Sequence, residues 1–206
     1  TSPFVYAFFI GALGILGAAL IPFGFYVPGT DEIIRALLSG ATFVLALIFF
    51  FAGLKKNEAS RVVPLTGGFV PLFTFILAYL YLGERLASNQ ILAFAALVAG
   101  GVLITVERRG RGSRLGYFYA IIAAFVFAVS FVITKQVFIE QSFVSGFVWS
   151  RLGGFIAALM ILLIPSQRHA IFSAKGGPAS GGHTVILFLS GQIAGALGFV
   201  LVNYAI

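Results

Sequence analysis

Arg151 stands in "FVWSRLGGF" (147–155), where nearly every neighbour is apolar. Its guanidinium carries five donors in a planar fork that fits a carboxylate or phosphate bidentately. A charge at the centre of a lipid-embedded helix costs about 2.5–3.5 kcal/mol on insertion scales. Residues 143–164 contain twelve Leu, Ile, Val or Phe. Each contributes roughly 0.3–0.6 kcal/mol when central, so together they offer at most about 4–7 kcal/mol. Such a helix inserts despite its arginine, which must then find an acceptor and face the bundle interior. Two readings stand. Arg151 contacts a substrate or a gate, or it is satisfied by a neighbouring helix or by snorkelling to the interface.

Other polar groups share this depth. Trp149 can stack on a ligand or sit at the membrane interface. Gln192, Asn203 and Tyr204 lie in the apolar stretch 184–206. Buried amides seek partners, so these residues bridge helices or line a cavity. With Arg151 they form the candidate substrate-binding set. No catalytic group is expected. The last apolar stretch has no lysine for a retinal Schiff base, and His169 and His183 both fall in a loop, which excludes an intramembrane Ser–His pair. Two loop histidines without an acidic cluster make no metal site, and no cofactor is implied. No Asp or Glu lies in the middle of a span, so the visible helices offer no obvious proton carrier.

The elements that must position these groups are set by composition. Apolar residues make up 60% of the 206 and charged residues only 9%, against about 25% charged in soluble domains. The solvent for most of this chain is lipid. It has no cysteine, which excludes disulfides. The +7 net charge sits in short loops and reads as a topology signal rather than a nucleic-acid footprint. About 20 apolar residues cross a bilayer, and seven stretches qualify: 3–26, 33–54, 62–82, 89–106, 115–138, 143–164 and 184–206. The predicted class is an all-α polytopic membrane bundle. Small residues that allow close helix approach recur at Gly11, Gly14 and Gly17, at Ala96 and Gly100, and at Gly191 and Gly195. Pro64, Gly67, Gly68 and Pro71 predict a kinked or locally irregular third helix, lining a cavity or simply bent for packing. The Gly/Ser-rich segment 166–183 reads as a long mobile loop.

The chain also repeats. "FFIGALGILGAALIP" (8–22) aligns with "RLGGFIAALMILLIP" (151–165), pairing Gly11 with Gly154 and Pro22 with Pro165. Upstream, Ser2 and Phe4 pair with Ser145 and Phe147. "LLSGA" (37–41) resembles "FLSGQ" (188–192). This order implies a five-helix unit used twice: residues 1–106 hold the first copy without its first helix, 107–114 a basic linker, and 115–206 the second copy without its last two helices. The intact protein should then have ten spans, of which about seven are present. An odd number of spans per copy inverts the second copy in the membrane, an arrangement found in secondary transporters with substrate sites between the halves.

Residues 52–104 resemble the drug/metabolite transporter superfamily, EamA type. The features are Ala59-Ser60, Pro71 with Phe73-Thr74, Gly83-Glu84, Gln90 and Gly101. "FAVSFVITK" (127–135) and Arg151 resemble the opening of the family's second repeat. Ala93 stands where the family often has glycine, and Phe8 occupies the first-repeat position matched to Arg151. The resemblance implies ten helices in two repeats and export or exchange of a small metabolite or drug-like solute at the cell membrane. Pro71, Gly83, Glu84 and Lys135 are then gating or structural-motif positions. The implied partners are the bilayer and a small-molecule substrate, with a second copy of the chain left open. A membrane-embedded enzyme or a non-transporting scaffold is the alternative, since fold does not dictate function.

Loop charges give an orientation. Nine basic residues fall in the loops after the second, fourth and sixth stretches, and three in the others. The positive-inside rule puts the nine in the cytoplasm. The family resemblance implies both termini there, which is the opposite orientation.

Overall fold

The computed structural model describes residues 2–83, 91–92, 94–96, 98–100, 112–172 and 190. Among them there is no strand, and five helical runs are long and apolar enough to cross a membrane. The protein is a polytopic helical membrane bundle.

The first run is α1 (Pro3–Ala12), continued by a 3-10 segment (Leu13–Phe23). Next come α2 (Thr30–Lys56) and α3 (Ala59–Leu82). After the basic linker follow α4 (Arg114–Glu140), α5 (Phe143–Ile161) and a short α6 (Pro165–Phe172). At 1.5 Å per residue, the 27 residues of α2 or α4 reach about 40 Å, enough for the hydrocarbon core and both interfaces.

Each helix end has a local cause. Asp31 and Glu32 lie in the first turn of α2, and Lys55 and Lys56 in its last, each matching the helix dipole. Ser142 caps α5 by accepting from the Ser145 N–H at 3.4 Å. Gly83 ends α3 in the left-handed region at φ 66°, a conformation that glycine takes without penalty. Its N–H donates to the Ala78 carbonyl.

Two features go beyond the sequence reading. α3 is assigned α-helix throughout, with Pro64 and Pro71 inside it. Irregular backbone also occurs in the first run, as eleven residues of 3-10 helix, a form rarely sustained beyond 3–4 residues. A 3-10 helix has three residues per turn, so Gly14 and Gly17 stack in one row, and Gly11 in the last turn of α1 meets the same neighbouring helix. That row lies on α5, and its close packing favours the tighter winding. The loop after α5 likewise contains the helix α6. Its first residue, Pro165, suits a helix start. The predicted spans 89–106 and 184–206 fall largely outside the described residues.

Two antiparallel pairs build the bundle. The first run packs along α5. Ser2 Oγ donates to Gln167 at 2.7 Å at one end, and at the other Ser145 Oγ accepts from Tyr26 N–H and donates to Tyr26 O, both at 2.9 Å. α2 packs along α4. Asn57 and Ser113 exchange bonds at one end, and Gln141 donates to the Glu32 carbonyl at the other. The pairs join where α2 crosses α5 with no room for side chains. A Cβ on Gly40 would overlap the Ser150 carbonyl, and one on Gly153 would overlap Leu37. An apolar core of Val5, Val44, Leu47 and Ile161 ties α1, α2 and α5 together. Outward-facing Leu16, Phe23, Leu80 and Tyr81 suit a hydrocarbon environment.

Candidate functional site

A cavity of about 190 Å³ opens where the two pairs meet. Its wall comes from both sides of the basic linker. Gly11 and Gly14 come from the first run, and Ser39, Gly40 and Phe43 from α2. Ser130, Phe131 and Thr134 come from α4, and Phe147, Ser150 and Arg151 from α5. Ser39 lies about 14 Å from the start of α2 and Arg151 about 12 Å from the start of α5, by helical rise. Both positions lie well inside the apolar length of their helices, away from either end.

Arg151 therefore faces the cavity, as a charge at lipid depth should. Two contacts fix its stem. Its guanidinium carbon lies 4.9 Å from the centre of the Phe147 ring, a cation–π arrangement. Gly17 leaves space for the aliphatic part, since a Cβ there would stand 2.9 Å from Arg151 Cβ. Gly14 lies directly on the Arg151 carbonyl, with an ideal Cβ only 2.6 Å from that oxygen. The glycine row thus lets the first run sit against the backbone that carries the charge.

A hydroxyl cluster faces the same space. Thr134 Oγ1 donates to Ser130 O at 2.7 Å, and Ser130 Oγ to Ser39 O at 2.9 Å. Ser39 Oγ reaches Ala36 O at 2.8 Å and Ser150 Oγ at 2.9 Å. Ser39 and Ser130 are each 1% exposed, so both needed internal partners. Phe43, Phe131 and Phe147 complete an aromatic wall.

The remaining sequence candidates separate. Trp149 is not among the residues lining the cavity; it packs on Phe25 with ring centroids 6.0 Å apart. Among the described residues its buried indole nitrogen has no hydrogen-bond partner. Lys135 is half-buried in α4, next to Thr134. Pro71 is half-buried in α3, and Gly83 caps that helix. Glu84, Gln192, Asn203 and Tyr204 lie outside the described residues. Phe8, the position matched to Arg151, packs against the apolar core. Sequence reasoning missed the hydroxyls of Ser39, Ser130, Thr134 and Ser150. Their signal was present, because Ser130 and Thr134 are one helical turn apart in an otherwise apolar stretch.

The chain is thus a bundle of apolar helices around a mainly apolar cavity into which Arg151 and a few hydroxyls are set. The model of the EamA-like transporter family matches residues 2–106, just over half of the chain. The chain belongs to that family. It is also 31% identical over 98 residues to a protein of Archaeoglobus fulgidus described as an uncharacterized transporter. The match covers 48% of this chain and 34% of the relative, so the chain spans about a third of that protein's length.

Proposed function

We propose that the intact protein carries a small solute across the cell membrane by alternating access, with the Arg151 cavity as its binding site. The observation that carries this reading is the cavity wall. Residues from before and after the linker converge there, and they gather the polar groups that lipid penalises. A site at mid-depth between two halves is where inverted-repeat transporters bind substrate.

The antiparallel first pair supports the inverted repeat. The matched serines Ser2 and Ser145 sit at opposite ends of it, each bonded to the far end of the other segment. The family match also covers nearly the same stretch, 2–106, as the first repeat read from sequence. Rocking of one half against the other would open the cavity to each side in turn. On charge grounds the end carrying Lys55, Lys56, Arg61, Arg114 and Arg168 faces the cytoplasm.

The test is solute uptake by the intact protein in liposomes, across a panel of amino acids, sugars, organic acids and nucleosides. Saturable movement of one class supports the reading. A chemically altered product without net movement would replace it with an enzyme.

A further inference from the structure

The end of the bundle where α2 begins and α4 stops is tied together above the cavity. Arg35 Nη2 and Glu140 Oε2 lie 2.8 Å apart and join α2 to α4. Arg35 precedes Ser39 by one turn on the same face of α2, about 6 Å further toward that end. Glu140 follows Thr134 on α4, about 9 Å toward the same end. The ion pair therefore stands over the hydroxyl side of the cavity. At the same end, Ser145 is bonded to the Tyr26 backbone, and the Ser142 N–H donates to Tyr26 Oη at 3.3 Å, joining the first run to α5. Both ties link the chain before the basic linker to the chain after it.

Neither charge of the pair serves its own helix. Glu140 is the last residue of α4, where the helix dipole disfavours a carboxylate. Arg35 stands near the N-terminus of α2, where the dipole favours anions. Gln136 Nε2 steadies Glu140 from one turn back, at 3.2 Å. The pair is also built to part. Its side chains are 36% and 28% exposed, so each charge can return to water when the helices separate. A fully buried pair would leave an uncompensated charge on parting. Among the described residues the buried Arg35 Nε has no hydrogen-bond partner, so the guanidinium fork is only partly engaged. The ties at the other end, Asn57–Ser113 and Ser2–Gln167, are uncharged hydrogen bonds.

We infer that Arg35 and Glu140 form a gate over the cavity. The pair holds this end shut, and its separation opens the cavity to that side of the membrane. This rests on the alternating-access reading of the same cavity.

The test is cysteine accessibility in the intact protein, which needs no knowledge of the solute. Thr134→Cys, half-buried in the cavity wall, is the reporter and the protein's sole cysteine. A small membrane-impermeant methanethiosulfonate is applied to right-side-out and to inverted vesicles. The side on which a separate Asp31→Cys variant reacts is the gate side, because exposed Asp31 lies at that end. Arg35→Gln and Glu140→Gln should each speed gate-side labelling of Thr134→Cys about two- to fivefold, the scale of one partly exposed ion pair, without speeding it from the other side. Exchanging the charges, Arg35→Glu with Glu140→Arg, should return the rate toward that of the unmutated pair. Unchanged gate-side labelling in both single variants overturns the gate and leaves the transporter reading intact. Equal acceleration from both sides also overturns it and makes the pair a structural tie. If Thr134→Cys is labelled from neither side in any variant, although the reconstituted protein keeps its helical circular dichroism, the alternating-access reading fails, and the gate with it.

Discussion

Gly11 and Gly154 meet where α1 crosses α5: a Cβ on Gly11 would stand 3.0 Å from the Gly154 carbonyl oxygen. The same two glycines are paired by the internal sequence match. Under a two-fold relation, a residue approaches its own counterpart only close to the axis. In the inverted-repeat reading proposed above, a matched pair in such contact would lie beside the pseudo-two-fold axis.

The crossing predicts a packing defect. A Cβ on Gly11 would also come within 2.8 Å of Ala158 Cβ and 3.1 Å of Val44 Cγ2, so no direction is left for a branched side chain. Gly11→Val should destabilise the intact protein by about 1–3 kcal/mol, the usual range for overpacking. Gly67→Ala is the control, because nothing among the described residues lies within 4 Å of its Cβ position. That change should be neutral or stabilising by roughly 0.5–1 kcal/mol, since alanine favours helix over glycine. Thermal unfolding in detergent reads both. Equal effects would remove the crossing as a packing constraint.

Hydropathy located the five described spans to within a few residues, because lipid imposes length and apolarity on every crossing segment. It could not say which face of a span is polar. Arg151 reads the same in sequence whether it meets a cavity or a neighbouring helix, and only the packing of Gly14 and Gly17 against it shows the outcome. The hydroxyls escaped notice because serine and threonine in a lipid helix can satisfy themselves on their own backbone, as Thr134 does with Ser130. The prolines of α3 gave no sign of the 3-10 backbone in the first run. Neighbouring groups can absorb an unpaired carbonyl after proline, whereas the glycine row favoured the 3-10 winding through contact with another helix.

Asn57 ties the turn after α2 to the start of α4. Its Nδ2 donates to Ser113 O at 3.1 Å, and its Oδ1 accepts from the Ser113 N–H. Asn57 is 9% exposed as a residue, and Gly116 leaves its side chain room. Asn57→Ala removes both bonds and should cost about 1–3 kcal/mol. Hydrogen exchange at residues 113–116 should accelerate more than at the Ser39–Ser130 crossing. Uniform acceleration would show that the pair holds no local structure.

Ser130 should separate stability from transport. Its hydroxyl makes one bond, to the Ser39 carbonyl, and side-chain bonds within membranes average about 0.6 kcal/mol. Ser130→Ala should therefore lower stability only slightly while removing an acceptor from the cavity wall. Transport affinity should fall severalfold with unfolding temperature nearly unchanged. Wild-type affinity in this variant would take Ser130 out of the binding surface.

The charge gathered at the two ends of the bundle makes a prediction about orientation. The antiparallel pairs bring Lys55, Lys56, Arg114 and Arg168 to one end, and Asp31, Glu32 and the Arg35–Glu140 ion pair, 2.8 Å apart, to the other. Insertion machinery retains basic segments on the cytoplasmic side. The chain has no cysteine of its own, so single cysteines within it report cleanly. Asp31 and Lys56 are both exposed, and they lie at opposite ends. In intact cells, a membrane-impermeant maleimide should label Asp31→Cys and spare Lys56→Cys until the cells are opened. The reverse pattern would place the basic end outside. The loop charges would then not set the topology, and charges elsewhere in the intact protein would have to override them.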